Sequence, residues 1–204
     1  MSLEGLHAIL DKDEVVATQR AEDLIAHPAM VDETYRRHVR TYVPFGRQSS
    51  GGDGKSVIDF EKEVIREVKG NGAVRGYITA EYGYGKTSTA LYLWDRARDA
   101  NLLAVPPFQL NKLTDFIQAT FGWVRYEIGR TRPGSPLPAR AEELYQSLIE
   151  RDAAAYARRY NIAESAARQM IRDKPDILEL TPADYIRYFE QMTGLARDAG
   201  YDGL

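Results

Sequence analysis

Between residues 74 and 100 the chain sets a short apolar run, a glycine-bearing turn and an amphipathic stretch in direct succession, and this order constrains the fold more than any other feature. Val74, Tyr77, Ile78 and Thr79 fall between the turn signal Lys69-Gly70-Asn71-Gly72 and a glycine loop, which predicts a buried strand over Val74–Ala80. Ala90, Leu91, Trp94 and Ala97 recur at helical spacing and predict a helix over Thr87–Ala100. Between them lies Ala80-Glu81-Tyr82-Gly83-Tyr84-Gly85-Lys86-Thr87, which matches the phosphate-binding P-loop pattern with alanine in place of the first glycine. A chance glycine-rich turn is the competing reading, but it would have no reason to fall where a strand ends and a helix begins.

The spacing has a chemical purpose. Gly83 and Gly85 let successive backbone N–H groups turn inward toward phosphate oxygens, and the N-terminus of the next helix adds its partial positive charge. Lys86 supplies a point charge to the β and γ phosphates, and Thr87 offers its hydroxyl to Mg²⁺. Ser88, the next residue, completes the expected nucleotide-binding stretch. The ligands this implies are ATP and Mg²⁺.

Leu102–Val105 is a second short apolar run, halted by Pro106-Pro107. Strand, glycine loop, helix, strand is the opening of a parallel α/β sheet, whose ligands sit beyond the carboxyl ends of the strands. Around this core the pattern is helical. Asp13 to Tyr42 reads as helix broken at Pro28, and Val57 to Val68 as a further helix. Ser49-Ser50-Gly51-Gly52-Asp53-Gly54 between them reads as a loop or boundary. After Pro107, helices are predicted over Leu113–Ile128, Ala139 to about Tyr160, Ile162–Arg172 with Asn161 and Glu164 as a capping box, and Thr181 to Gly200 with Pro182 at the first position. The organisation expected is an N-terminal helical segment with an adenine-side linker over residues 1–54, then a P-loop NTPase core over residues 55–204. That core carries an incomplete parallel sheet and a long helical insertion, residues 111–199, after its second strand.

Hydrolysis needs an acid-bearing strand to place Mg²⁺ and an oriented water. No apolar run ending in Asp or Asp-Glu follows the P-loop. Ile177-Leu178-Glu179 comes nearest, but it is short and boxed between Pro175 and Pro182, so it reads as a connector. The tail Ala199-Gly200-Tyr201-Asp202-Gly203-Leu204 reads as a helix stop leading into the first residue of a strand. The catalytic acids are therefore expected beyond Leu204, and the 204 residues by themselves are expected to bind nucleotide without turning it over.

Three stretches of this sequence, the P-loop Ala80–Thr87, then Pro106-Pro107-Phe108, then Phe121-Gly122-Trp123-Val124-Arg125-Tyr126, resemble the large P-loop ATPases of BREX-type phage-defence systems. That branch lies near the origin-recognition-like and STAND ATPases. The tail Gly200–Leu204 is similar to the lead-in to the family's acidic Walker B strand. The resemblance covers about the middle half of the chain, and only the P-loop is specific by itself. It implies an N-terminal fragment of an ATPase that acts as an ATP-driven switch or motor, with defence-complex subunits or further copies of itself as partners. The Walker B acids, sensors and arginine finger of such ATPases would follow Leu204. The resemblance also bears on Tyr42-Val43-Pro44-Phe45-Gly46-Arg47, because origin-recognition-like and STAND ATPases place a short apolar segment with an arginine before the core to cover the adenine. Val43 and Phe45 are then candidates to stack on the base and Arg47 to reach toward phosphate. A helix terminator followed by a hydrophobic plug fits the same residues.

Other classes are narrowed by composition. A formal charge of -3 provides no basic field for nucleic acid or anionic membrane. Arg36, Arg37, Arg40 and Arg47, interleaved with Tyr35 and Tyr42, would suit DNA contact, although Asp32 and Glu33 stand at pairing distance along the helix. Arg158, Arg159, Arg168 and Arg172 have the same two readings. No cysteine is present, and His7, His27 and His38 are too scattered to form a metal pair. No apolar run is long enough to span a bilayer, the first ten residues lack a charged region followed by an apolar core, and the absence of cysteine suits a reducing cytosol, so a soluble, cytoplasmic protein is expected. Phe116, Phe121, Trp123 and Tyr126 read as packing aromatics. A binding module in which nucleotide is only a structural or regulatory ligand is the alternative to an ATPase; a small metabolite kinase fits the long helical stretch less well.

Overall fold

The structure is a computed structural model and describes residues 18–40, 57–70, 78 and 85–204. Among these the chain is mostly helical, with one two-stranded parallel sheet. The elements are β1 (Gln19–Arg20), α1 (Ala21–Ala26), α2 (Pro28–Val39), α3 (Val57–Lys69), α4 (Lys86–Asp99), β2 (Phe108–Gln109), α5 (Leu113–Thr131), α6 (Leu137–Tyr160), α7 (Glu164–Asp173), a 3-10 turn (Pro175–Ile177) and α8 (Pro182–Asp198). The strand expected over Val74–Ala80, Ile78 excepted, and the loop at Ser49–Gly54 lie outside the described residues.

Helix α5 organises the packing because both of its faces are apolar. Ile117, Phe121, Val124 and Ile128, spaced four, three and four apart, bury one face in a core shared with α6, α7 and α8. Ala119 and Trp123 bury the opposite face against α1, α2 and α4, where they meet Leu24, Val31, Tyr35, Leu91 and Trp94. The first core includes the stripe Ala141, Tyr145, Ile149, Ala153 and Ala157 along α6, a strict four-residue repeat. Phe121 stacks on Tyr145 with ring centroids 4.3 Å apart and planes 4° from parallel. In the second core Trp94 meets Trp123 edge to face at 5.7 Å and Tyr35 meets Trp94 at 6.0 Å. Each such buried aromatic adds stability of about 1.5–3 kcal/mol by area. Tyr35 also has a polar task. Its hydroxyl accepts from the Gln19 N–H at 2.8 Å and donates to the Pro107 carbonyl at 3.0 Å, so one buried side chain ties the two strands to α2.

The sheet differs from the expected one. β1 and β2 pair in parallel, Gln19 beside Phe108 and Arg20 beside Gln109. The residues of β1 had read as helix, since two residues carry no periodicity. The Leu102–Val105 run forms one parallel bridge, between Leu102 and Gly203, with the Leu103 N–H donating to the Gly203 carbonyl at 2.9 Å and the Asp202 N–H to the Asn101 carbonyl at 3.0 Å. The tail that read as the start of a strand thus lies beside the run that read as the second strand. The Trp94 indole N–H donates to the Ala104 carbonyl at 3.0 Å and fastens that run to α4.

Two helix termini repay comparison. Thr181 caps α8 as expected, its hydroxyl accepting from the Asp184 N–H at 3.2 Å, with Pro182 in the first position. Asn161 does not open α7. It takes the left-handed conformation, φ 52°, as the C-cap of α6, and α7 begins at Glu164 after Ala163. Asparagine tolerates that conformation better than other non-glycine residues, so the position that looked like an N-cap serves the preceding helix instead.

Gly122 shows how closely α1 and α5 approach. A Cβ built there would lie 2.7 Å from Ile25 Cγ1, 2.8 Å from the Leu24 carbonyl oxygen and 2.9 Å from Ile25 Cα. Two of these three are backbone atoms, so the helices would have to separate. Gly122→Ala is predicted to lower stability by roughly 1–3 kcal/mol from overpacking, even though alanine favours a helix by about 1 kcal/mol. Urea unfolding measures it, and an unchanged or raised midpoint would show that the crossing yields freely.

Candidate functional site

The site expected from the sequence centres on the start of α4. Gly85 is its N-cap and takes φ 73°, ψ 24°, the left-handed region. Nothing lies within 4 Å of where a Cβ would be, so backbone conformation and not crowding calls for glycine here. The helix begins at Lys86, and its first bond with the N-cap runs from the Thr89 N–H to the Gly85 carbonyl at 2.9 Å. Within the helix the N–H groups of the residues before Thr89 have no acceptor, and a glycine N-cap has no side chain to supply one. Lys86, Thr87 and Ser88, all half-buried, occupy this first turn. A lysine and two hydroxyls around a helix N-terminus make a donor set that suits an anion and, at Thr87, a phosphate-bound Mg²⁺. Ala80, Glu81, Tyr82, Gly83 and Tyr84, and likewise Val43, Phe45 and Arg47, lie outside the described residues.

The body of α4 is held from three directions. α2 runs antiparallel to it and touches it at both ends. His38 Nε2 lies 2.9 Å from Ser88 Oγ in the first turn, and Asp32 Oδ1 accepts from Arg98 Nη1 at 2.7 Å in the last. From α3, Glu61 accepts from the Tyr92 hydroxyl at 2.8 Å and from Arg96 Nε at 3.2 Å. From α5, Glu127 accepts from Arg98 Nη2 at 3.0 Å. His38 had been set aside with the other histidines because a search along the sequence for a paired metal ligand cannot detect a partner fifty positions away.

Arg98 is the centre of this clamp. Its side chain is only 8% exposed, and its guanidinium stands 4.7 Å from the Trp94 ring centroid and 5.7 Å from that of Trp123. Asp32 and Glu127 neutralise it, and Arg36 and Arg130 pair with those carboxylates at 2.8 and 2.7 Å. Burial pushes the Asp32 carboxyl upward, but hydrogen bonds and charge from Arg36 and Arg98 outweigh it and hold the group below its ordinary value. Burial, followed by the Asp32 charge, raises the Tyr126 phenol, whose hydroxyl donates to Asp32 Oδ2 at 3.3 Å.

Elsewhere charges are matched locally. Between α2 and α4 an open cleft of about 290 Å³ is bounded by Arg36, Arg40, Arg96, Asp95, Val39 and Tyr92. Arg36 and Arg96 are already paired with Asp32 and Glu61, so its charge is mixed. Arg37 pairs with Glu33 at 3.0 Å, Arg168 with Glu150 and Glu164, and Arg159 with Glu179 in the connector after the 3-10 turn. Among the described residues no group of three or more histidines and carboxylates is placed to hold a metal ion, and no helix is long and apolar enough to cross a membrane.

No family model matches the chain, and no curated protein or solved structure matches it.

Asp32 supplies a pH prediction. Its folded pKa is depressed, so its contribution to stability is fully present above the unfolded value of 3.8 and is lost as pH falls through the folded value. Asp32→Ala leaves part of a buried charge network uncompensated and is predicted to cost about 3 kcal/mol near neutral pH. Thermal unfolding of both proteins against pH checks this: the gap between wild type and variant should shrink below the ordinary carboxylate range. A gap that is small at neutral pH, or that widens in acid, would show that the pair is not stabilising.

Proposed function

We propose that the chain is the ATP-binding part of a P-loop ATPase. The observation that carries the reading is the left-handed Gly85 at the N-cap of a helix whose first turn is Lys86, Thr87 and Ser88, at the end of a sequence that matches the phosphate-binding pattern. Backbone N–H groups of the loop and first turn receive the phosphates, and Lys86 places its ammonium on the β and γ oxygens. The Thr87 hydroxyl would hold Mg²⁺, which when bound neutralises phosphate charge. The small parallel sheet agrees with an α/β arrangement, and the proposed core is a P-loop NTPase with residues 1–54 as helical segment and adenine-side linker and the helices of residues 111–199 as an insertion. Val43, Phe45 and Arg47 are proposed to border the base.

The wider role follows from the resemblance to BREX-type defence ATPases: an ATP-driven switch or motor in the cytoplasm, assembled with defence partners or with further copies of itself, DNA being a weaker candidate. The size of the helical lobe formed by α5 to α8 also favours a second reading, a nucleotide-binding scaffold in which those helices recruit partners and ATP is not turned over.

Lys86→Ala is predicted to abolish binding of ATP–Mg²⁺ with no more than a small change in melting temperature, since the lysine ligates phosphate and is not a core residue. Calorimetric titration of wild type and variant decides it, and equal affinity would remove the P-loop reading. Steady-state phosphate release by the wild-type chain is expected to match that of the variant. Robust Lys86-dependent release would mean that an acid within these residues is catalytic.

A further inference from the structure

Helix α2 stands against α4 along its whole length, and the contact at the phosphate end differs in kind from the one at the other end. At the far end an ion pair, Asp32 with Arg98, supplies anchorage. At the near end the contact joins an imidazole to a hydroxyl, His38 Nε2 to Ser88 Oγ at 2.9 Å, with both residues half-buried. Burial of a methyl or aliphatic pair would have fastened the helices as well. An imidazole and a hydroxyl instead share a proton whose position decides what else the hydroxyl can do.

A serine hydroxyl has one hydrogen and two acceptor lone pairs. If it gives its hydrogen to the histidine, it presents only lone pairs to its other neighbours and repels an anion. If it receives a hydrogen from Nε2–H, its own O–H is left to donate, and a phosphate oxygen is the strongest acceptor that site would meet. Ser88 sits three residues beyond the N-cap, in the turn where an anion would lie.

We propose that His38 is a positioning residue of the phosphate site: it donates from Nε2 to Ser88 Oγ and so orients the Ser88 hydroxyl hydrogen toward the bound phosphate. This rests on the P-loop reading above. It adds a residue from α2, outside the motif, and it gives the helix preceding the adenine-side linker a direct sensitivity to whether the phosphate position is filled. A phosphate that draws the Ser88 hydrogen makes Ser88 Oγ a better acceptor for His38, since hydrogen bonds in a chain polarise one another. Nucleotide binding therefore tightens the contact between α2 and α4.

The test is calorimetric titration of the 204-residue chain with ATP–Mg²⁺ and, separately, with tripolyphosphate–Mg²⁺, using wild type, His38→Ala, His38→Gln, Ser88→Ala, the double variant His38→Ala with Ser88→Ala, and Lys86→Ala. His38→Ala is expected to weaken both ligands roughly tenfold, the scale of one hydrogen bond to a charged group. His38→Gln, whose amide N–H can still donate, is expected to stay within about threefold of wild type. In the Ser88→Ala background the loss of His38 should have no further effect, as required of two residues that act through one hydroxyl. A purely structural role for His38 would not vanish on removing that hydroxyl. Wild-type affinity in His38→Ala, losses that simply add in the double variant, or a loss seen for ATP and not for tripolyphosphate overturns the proposal while Lys86-dependent binding leaves the P-loop reading standing. Absence of any binding by the wild-type chain overturns both.

Discussion

A guanidinium removed from water is costly unless every direction around it is occupied, and Arg98 shows how this chain meets that requirement. Two carboxylates from different helices face its nitrogens, and two indoles stand within cation–π reach. No one of these partners would suffice alone. Because Asp32 comes from α2 and Glu127 from α5, the arginine can be buried only when α2, α4 and α5 are together. The helices are thereby held in register by charge as well as by the apolar packing of Leu24, Leu91 and Trp123.

That fixed register matters at the other end of α4. A helix N-terminus attracts an anion through oriented N–H groups, and the attraction is useful only when those groups do not have to reorganise on binding. Gly85 provides the conformation that opens the turn, and the contacts of Arg98, Tyr92, Arg96 and Ser88 hold the helix behind it. The polar clamp lies on the body of the helix while the first turn carries Lys86 and Thr87 with a glycine at its cap.

Helix α5 extends this arrangement outward. Its second apolar face joins α6, α7 and α8 into a lobe, so any displacement of α5 reaches both cores at once. Gly122 lets α1 approach that helix closely, and Trp123, next in sequence, contributes its ring to Arg98. Close packing and charge burial thus depend on neighbouring positions of one helix.

How much of this was legible in the residues depended on the range of the interaction. Local signals held. The periodicity of Leu91 and Trp94, the Thr181-Pro182 start, and the glycine before Lys86 each act within a few residues, and α4, α8 and the left-handed Gly85 follow from them. Signals shared between neighbouring elements misled: Asn161 suits a helix start by side chain and a helix end by backbone, and the α6 terminus took it. Two-residue strands were invisible because β1 exists only through its pairing with β2 and the Tyr35 hydroxyl. The Asp32, Arg98 and Glu127 cluster and the His38 contact with Ser88 span separations of 29 to 66 positions, where no spacing rule operates. The amino-acid sequence alone therefore determined where helices form and where a glycine-capped turn opens α4, because propensity, capping and glycine conformation are local. Only the tertiary structure decided which charges are buried together and which side chain reaches the first turn of α4, because desolvation and hydrogen bonding depend on distance in space.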